Sequence, residues 1–109
     1  MLKYHHLGIP TTKKMPGERY LAGLHIWVSG YKQSQFNIEW MRYEPECKLP
    51  GIVKTVTHVA FEVDDVWAAI NGKKVIIEPN SPSEGVLVAF IEENGAPIEF
   101  IQDKHLHRK

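Results

Sequence analysis

The chain carries no charge excess, because thirteen basic and thirteen acidic residues cancel over 109 positions. That balance removes the electrostatic case for a nucleic-acid or anionic-membrane partner, which needs a cationic surface. No apolar run approaches the roughly 20 residues that cross a bilayer. The opening Met1-Leu2-Lys3-Tyr4-His5-His6 lacks the apolar core of a signal peptide. Cysteine is almost absent. Cys47 alone excludes an intrachain disulfide and fits a reducing compartment, so a cytoplasmic protein is expected. Its acidic neighbours Glu44 and Glu46 would not lower a thiol pKa, and Cys47 reads as an inert linker thiol. With 43% hydrophobic residues, a chain of this length makes one small domain, or two half-domains sharing a core.

What is present is a His/Glu pair that occurs twice. Tyr4-His5-His6-Leu7-Gly8-Ile9 and Val56-Thr57-His58-Val59-Ala60-Phe61 both read as the start of a strand. Each is followed by a strand ending Ile-Glu-aromatic, Ile38-Glu39-Trp40 and Ile98-Glu99-Phe100, at similar but unequal spacing. Two imidazoles and two carboxylates from two similar halves are what a divalent-metal site on a pseudo-two-fold axis requires.

In the second half, Thr55 to Val63 reads as a strand, and Asp64 or Asp65 caps a short helix through Ile70 that stops at Asn71-Gly72. Lys74 to Ile77 is a short strand. The stretch from Glu78 to Gly85, with Pro79 and Pro82, reads as a surface loop. Val86 to Glu92 and Pro97 to Gln102 form a hairpin about Asn94-Gly95. The order is β-α-β-β-β. The first half reads as an abbreviated copy: Lys3 to Ile9, Leu24 to Val28 and Phe36 to Tyr43 are strands, and Glu18 to Ala22 is a short helix. The divisions are residues 1–45, a linker at 45–54, residues 55–103 and a tail at 104–109, all within one domain.

Strand phase carries the argument further. Val59, Phe61 and Val63 share one face, and His58, Ala60 and Glu62 share the other. His6 likewise opposes Leu7 and Ile9, while His5 falls with those apolar residues. Glu39 opposes Ile38 and Trp40, and Glu99 opposes Ile98 and Phe100. All four candidates therefore lie on the face turned away from the helix, the concave side of a curved sheet.

These residues resemble the glyoxalase/bleomycin-resistance/dioxygenase superfamily, the vicinal oxygen chelate proteins. The stretches that carry the likeness are His6-Leu7-Gly8-Ile9, His58-Val59-Ala60-Phe61-Glu62-Val63-Asp64-Asp65 and Asn94-Gly95-Ala96-Pro97-Ile98-Glu99-Phe100. The resemblance covers nearly the whole second half and the ends of the first. It implies an α+β fold of two βαβββ modules, the first abbreviated, forming a cupped mixed sheet around a central cavity. It places metal ligands at His6, Glu39, His58 and Glu99, with His5 a rival to His6 that strand phase disfavours. The ion would be Zn, Ni, Co, Mn or Fe. The implied activity is that of an isomerase or lyase acting through an enediolate on a small substrate with vicinal oxygens, with Glu99 or Glu39 as the base. Alternatives are an Fe(II) dioxygenase using His6, His58 and Glu99, and a metal-free module that sequesters a small molecule.

Smaller expectations follow. His25, Trp27 and Tyr43 are assigned to the substrate pocket, and Trp40 and Trp67 to the core. Lys13-Lys14 and Lys73-Lys74 read as solvated pairs, Asn80 to Gly85 as a connector or lid, and His105 and His107 as tail residues that could bind metal adventitiously. Open sheet edges point to a homodimer as the macromolecular partner, with a small molecule as substrate.

Overall fold

The computed structural model describes residues 2–106, so His107 lies outside the described residues. Its strands are β1 (Lys3–Pro10), β2 (Arg19–Leu21), β3 (Ile26–Ser29), β4 (Ile38–Tyr43), β5 (His58–Glu62), β6 (Val75–Ser83), β7 (Val86–Glu93) and β8 (Ala96–Asp103). Two short helices, α1 (Gly51–Thr55) and α2 (Val66–Ile70), and a 3-10 turn at Lys104–Leu106 complete it. The class is α+β. The strands form one mixed sheet in the order β2-β3-β4-β1-β5-β8-β7-β6, curled into a half-barrel. At its centre β1 pairs antiparallel with β5, and each central strand pairs in parallel with a later one, β1 with β4 and β5 with β8.

Local chemistry explains the ordered second half. The Asp65 carboxylate accepts hydrogen bonds from the backbone N–H groups of Trp67 and Ala68, which would otherwise be unsatisfied at the start of α2. Val66 and Ile70, one turn apart, lie on the face of α2 that packs on Ala89, Ile91 and Phe100. Burying such a side chain contributes about 1.5–3 kcal/mol. Asn94 and Gly95 both take positive φ, 50° and 85°, as a tight hairpin turn requires.

Several expectations are corrected. Residues 18–22 form no helix: Arg19–Leu21 is an edge strand, held to β3 by the Arg19–Val28, Tyr20–Trp27 and Leu21–Ile26 pairs. The Tyr20 and Trp27 rings lie 4.6 Å apart, and Glu18 is anchored across the sheet by a bidentate Arg42 contact at 2.7 and 2.8 Å. These tertiary contacts outweigh a weak helical preference. The first half therefore has four strands, not three. Residues 78–83 are strand, not loop, because β6 is an edge: Pro79 and Pro82 forfeit an N–H there without breaking a central ladder, and the register slips along its length. Part of the supposed linker is α1, whose Val53 is buried. Trp67 is 61% exposed, since it follows Val66 and so turns away from the face that packs. Cys47 lies in irregular chain between β4 and α1, and it is buried with Ile26 and Val28. Among the described residues no helix is long and apolar enough to cross a membrane.

Candidate metal centre

The half-barrel brings His6, His58 and Glu99 together on its concave side by a simple ladder geometry. On the β1–β5 pair, His6 faces Ala60 and Gly8 faces His58. On the next strands out, Glu99 of β8 lies beside Ala60 and Glu39 of β4 lies beside Gly8. Each imidazole is thus one small residue away from a carboxylate on the same rung. Ala60 lets His6 reach Glu99, with Nε2 3.4 Å from Oε1. Gly8 leaves room for the His58 ring, where even a Cβ would come within 2.2 Å. The His6 and His58 rings sit edge to face, 5.4 Å between centroids, as diagonal neighbours on adjacent strands.

One ligand atom from each of His6, His58 and Glu99 lies within 4.8 Å of the other two, and all three residues are buried. This group could hold a metal ion. His58 Nε2 is 3.1 Å from Glu99 Oε1, so one carboxylate oxygen receives both imidazoles. Burial alone would raise the Glu99 pKa, but the hydrogen bonds and charges of His58 and His6 outweigh it and hold the carboxyl at about 2. Glu99 is therefore an anion at any physiological pH. His58 supplies the fit test for a metal. Its ring is 1% exposed, and Nδ1 has no hydrogen-bond partner among the described residues. Its Nε2 faces the same Glu99 oxygen that His6 Nε2 faces, so an ion held there would draw one donor from each of the three buried side chains. The donor set of two imidazoles and a carboxylate suits first-row divalent ions.

Glu39 stands apart from that triad. Its Oε1 is 3.9 Å from His6 Nε2, and its pKa is raised, first by burial and further by the Glu99 charge. The two carboxylates thus have opposite tendencies.

A cavity of about 190 Å³ opens above the group. Its polar end is His6, Glu39 and Glu99, and its walls are apolar, including Ile26, Met41 and Phe90. That volume lies below the roughly 300–1,000 Å³ of drug-sized sites and fits a small molecule. Tyr43 lines the cavity, and so do Asn80 and Pro82 from β6, within the stretch expected to be a connector or lid. His25 and Trp27 do not. The alternation on β3 is as expected, but the faces are reversed: Ile26 and Val28 pair with Tyr43 and Met41 and turn inward, leaving Trp27 with Arg42 on the other side. His25 sits at positive φ (58°) just before β3, in a second group with Glu44 and Glu46. There Glu44 is already engaged by Tyr20 Oη at 2.8 Å and Trp27 Nε1 at 3.1 Å.

Sequence reasoning missed two features of the centre. One is the pair of small residues, although His6-Leu7-Gly8 and His58-Val59-Ala60 show the same spacing. The other is His5, whose ring was assigned to the apolar face. A register shift between Tyr4 and His6 bulges β1, and His5 Nδ1 comes within 2.8 Å of His6 Nδ1.

No family model matches the chain, and no curated protein matches it. Among solved structures, a hypothetical protein from Bacillus halodurans C-125 is similar over 99% of both chains, with a TM-score of 0.63 and 21% identity. That likeness concerns the fold alone.

Proposed function

We propose that this chain is a small metal-dependent enzyme, an isomerase or lyase, acting on a compact, mostly apolar substrate with oxygens on neighbouring atoms. The observation that carries the reading is the convergence of His6, His58 and Glu99, of which His6 and Glu99 line an apolar cavity together with Glu39. The proposal includes an ancestry of two related βαβββ-like modules. Its support is the strand order, in which β1-β4-β3-β2 on one side matches β5-β8-β7-β6 on the other. A cytoplasmic location and a two-fold homodimer across an open edge belong to the same reading, supported by the unpaired Cys47 and by the edge strands β2 and β6.

His6, His58 and Glu99 would hold a Zn, Ni, Co, Mn or Fe ion. Bound there, the ion would polarise a substrate carbonyl and acidify the neighbouring C–H. The protein's own residues divide the remaining work. Glu99, held ionised between two imidazoles, is the anionic ligand. Glu39, outside the triad and drawn toward its protonated form, takes a proton from the substrate carbon and returns it to a neighbouring atom. The walls of Ile26, Met41 and Phe90 exclude water and hold the substrate against Glu39.

The test begins with Co²⁺ titration of the chain carrying His105→Ala and His107→Ala, which removes adventitious tail ligands. One ion per chain is expected, lost in His58→Ala and in Glu99→Gln but kept in Glu39→Gln. NMR of small α-hydroxyketones in D₂O should then show exchange of the C–H beside the carbonyl, abolished by Glu39→Gln. Absence of stoichiometric binding would remove the reading.

A second reading is favoured by one observation, that Glu39 falls outside the mutually close triad. Two histidines and one carboxylate are the facial set of Fe(II) oxygenases. Oxygen uptake with catechols after anaerobic Fe(II) loading, without C–H exchange, would select it.

A further inference from the structure

The hydrogen bond between the two adjacent histidines has a consequence for how His6 can serve as a ligand. His5 Nδ1 and His6 Nδ1 are 2.8 Å apart, a distance that requires one hydrogen between them. Its owner depends on what His6 Nε2 does. When Nε2 donates to Glu99, 3.4 Å away, Nδ1 is an acceptor and His5 donates to it. When Nε2 offers its lone pair to an ion, the ring hydrogen sits on Nδ1 and His5 must accept. His5 can do either, because its own hydrogen can occupy Nδ1 or Nε2. The pair carries two ring hydrogens in both arrangements. One proton leaves His6 Nε2 for solvent, one is taken from solvent at His5 Nε2, and the net protonation is unchanged.

The ring is held for this purpose. The β1 bulge turns His5 toward His6, the ring stacks on Tyr31 at 5.7 Å and 12°, and the His5 carbonyl accepts from Asn37 Nδ2 at 2.9 Å. Among the described residues His58 has no such partner on its second nitrogen. Support for ligand tautomer is therefore one-sided, and the whole of it rests on His5.

We propose that His5 is a positioning residue whose hydrogen bond with His6 reverses when an ion occupies the site, so that His6 presents an unprotonated Nε2. This rests on the metal reading, and the experiment separates the two. ¹⁵N NMR of the histidine rings should show a scalar coupling across the N–H···N bond. The hydrogen is expected on His5 Nδ1 in chelator-treated protein and on His6 Nδ1 after Zn²⁺ loading. Co²⁺ affinity should fall about 10–100-fold in His5→Leu, the range found for outer-shell partners. It should recover most of that in His5→Asn, whose Oδ1 can accept from His6 Nδ1. Equal Co²⁺ affinity in wild type and His5→Leu, or an His5→Asn as weak as His5→Leu, overturns the proposal while leaving the metal reading intact. If His5→Leu fails to fold, the wild-type spectrum decides alone: a hydrogen that stays on the same ring after Zn²⁺ loading overturns it. A wild-type chain that takes up neither ion overturns the metal reading and this proposal together.

Discussion

Replacing Gly8 with alanine tests the geometry of the centre at its tightest point. A Cβ at Gly8 would lie 2.2 Å from His58 Cε1, 2.7 Å from Nε2 and 2.8 Å from Nδ1. Ordinary carbon contacts begin near 3.5 Å, so the ring or the strand must move by roughly 1 Å or more. The ring cannot retreat. It is 1% exposed, with the Phe90 ring 5.0 Å away and the His6 ring 5.4 Å away. Either β1 lifts from β5 or the imidazole leaves Glu99. Overpacking of this kind costs about 1–3 kcal/mol, and loss of a hydrogen bond to a charged group adds about 1.5–3 kcal/mol. Urea unfolding of the metal-free chain should therefore show Gly8→Ala destabilised by about 2.5–6 kcal/mol. Co²⁺ at concentrations that saturate the wild type should leave the variant unfilled. Gly51→Ala is the control, since a Cβ there meets nothing within 4 Å. A Gly8→Ala chain within about 0.5 kcal/mol of wild type, binding Co²⁺ normally, would refute the ladder geometry.

Three further outcomes are expected. Glu18 is held down to about 2 by the hydrogen bonds from Arg42, so its contribution to stability is complete above the ordinary 4.5 and is lost as pH falls toward 2; urea midpoints of Glu18→Gln should lose that part of the acid sensitivity, and an unchanged acid limb would contradict the assignment. Glu39 is shifted the opposite way, so the folded chain loses stability as pH rises above 4.5. Glu39→Gln should then gain on the metal-free wild type at pH 7 and not at pH 4, and a pH-independent difference would count against it. Light scattering at micromolar concentration should report a dimer, and a monomer would remove the edge-to-edge association from the proposal.

What was legible in the chain was whatever depends on neighbours in sequence. Asp65 before Val66, the Asn94-Gly95 turn, and the alternation of His58, Ala60 and Glu62 against Val59, Phe61 and Val63 are local signals, and they correspond to α2, the β7–β8 hairpin and β5. The errors fell where long-range contacts decide. Arg19–Leu21 is a strand because β3 lies beside it, and Val75–Ser83 keeps its prolines because, among the described residues, no strand lies beyond it.

The candidate site divides along the same line. Residue type and strand phase were sufficient to put His6, His58, Glu39 and Glu99 on one face, since side-chain direction alternates with a period of two whatever the surroundings. Pairing brought them near one another: the registers put each carboxylate one small residue from an imidazole, Glu99 beside Ala60 and Glu39 beside Gly8, and in the folded sheet it is Glu99 that comes within 3.1 Å of His58 and 3.4 Å of His6. Pairing also chose the face that Trp27 occupies and bulged β1 so that His5 turned to His6. Periodicity is a property of the chain, but register, bulges and the inward side of a curved sheet arise only when distant strands lie against one another.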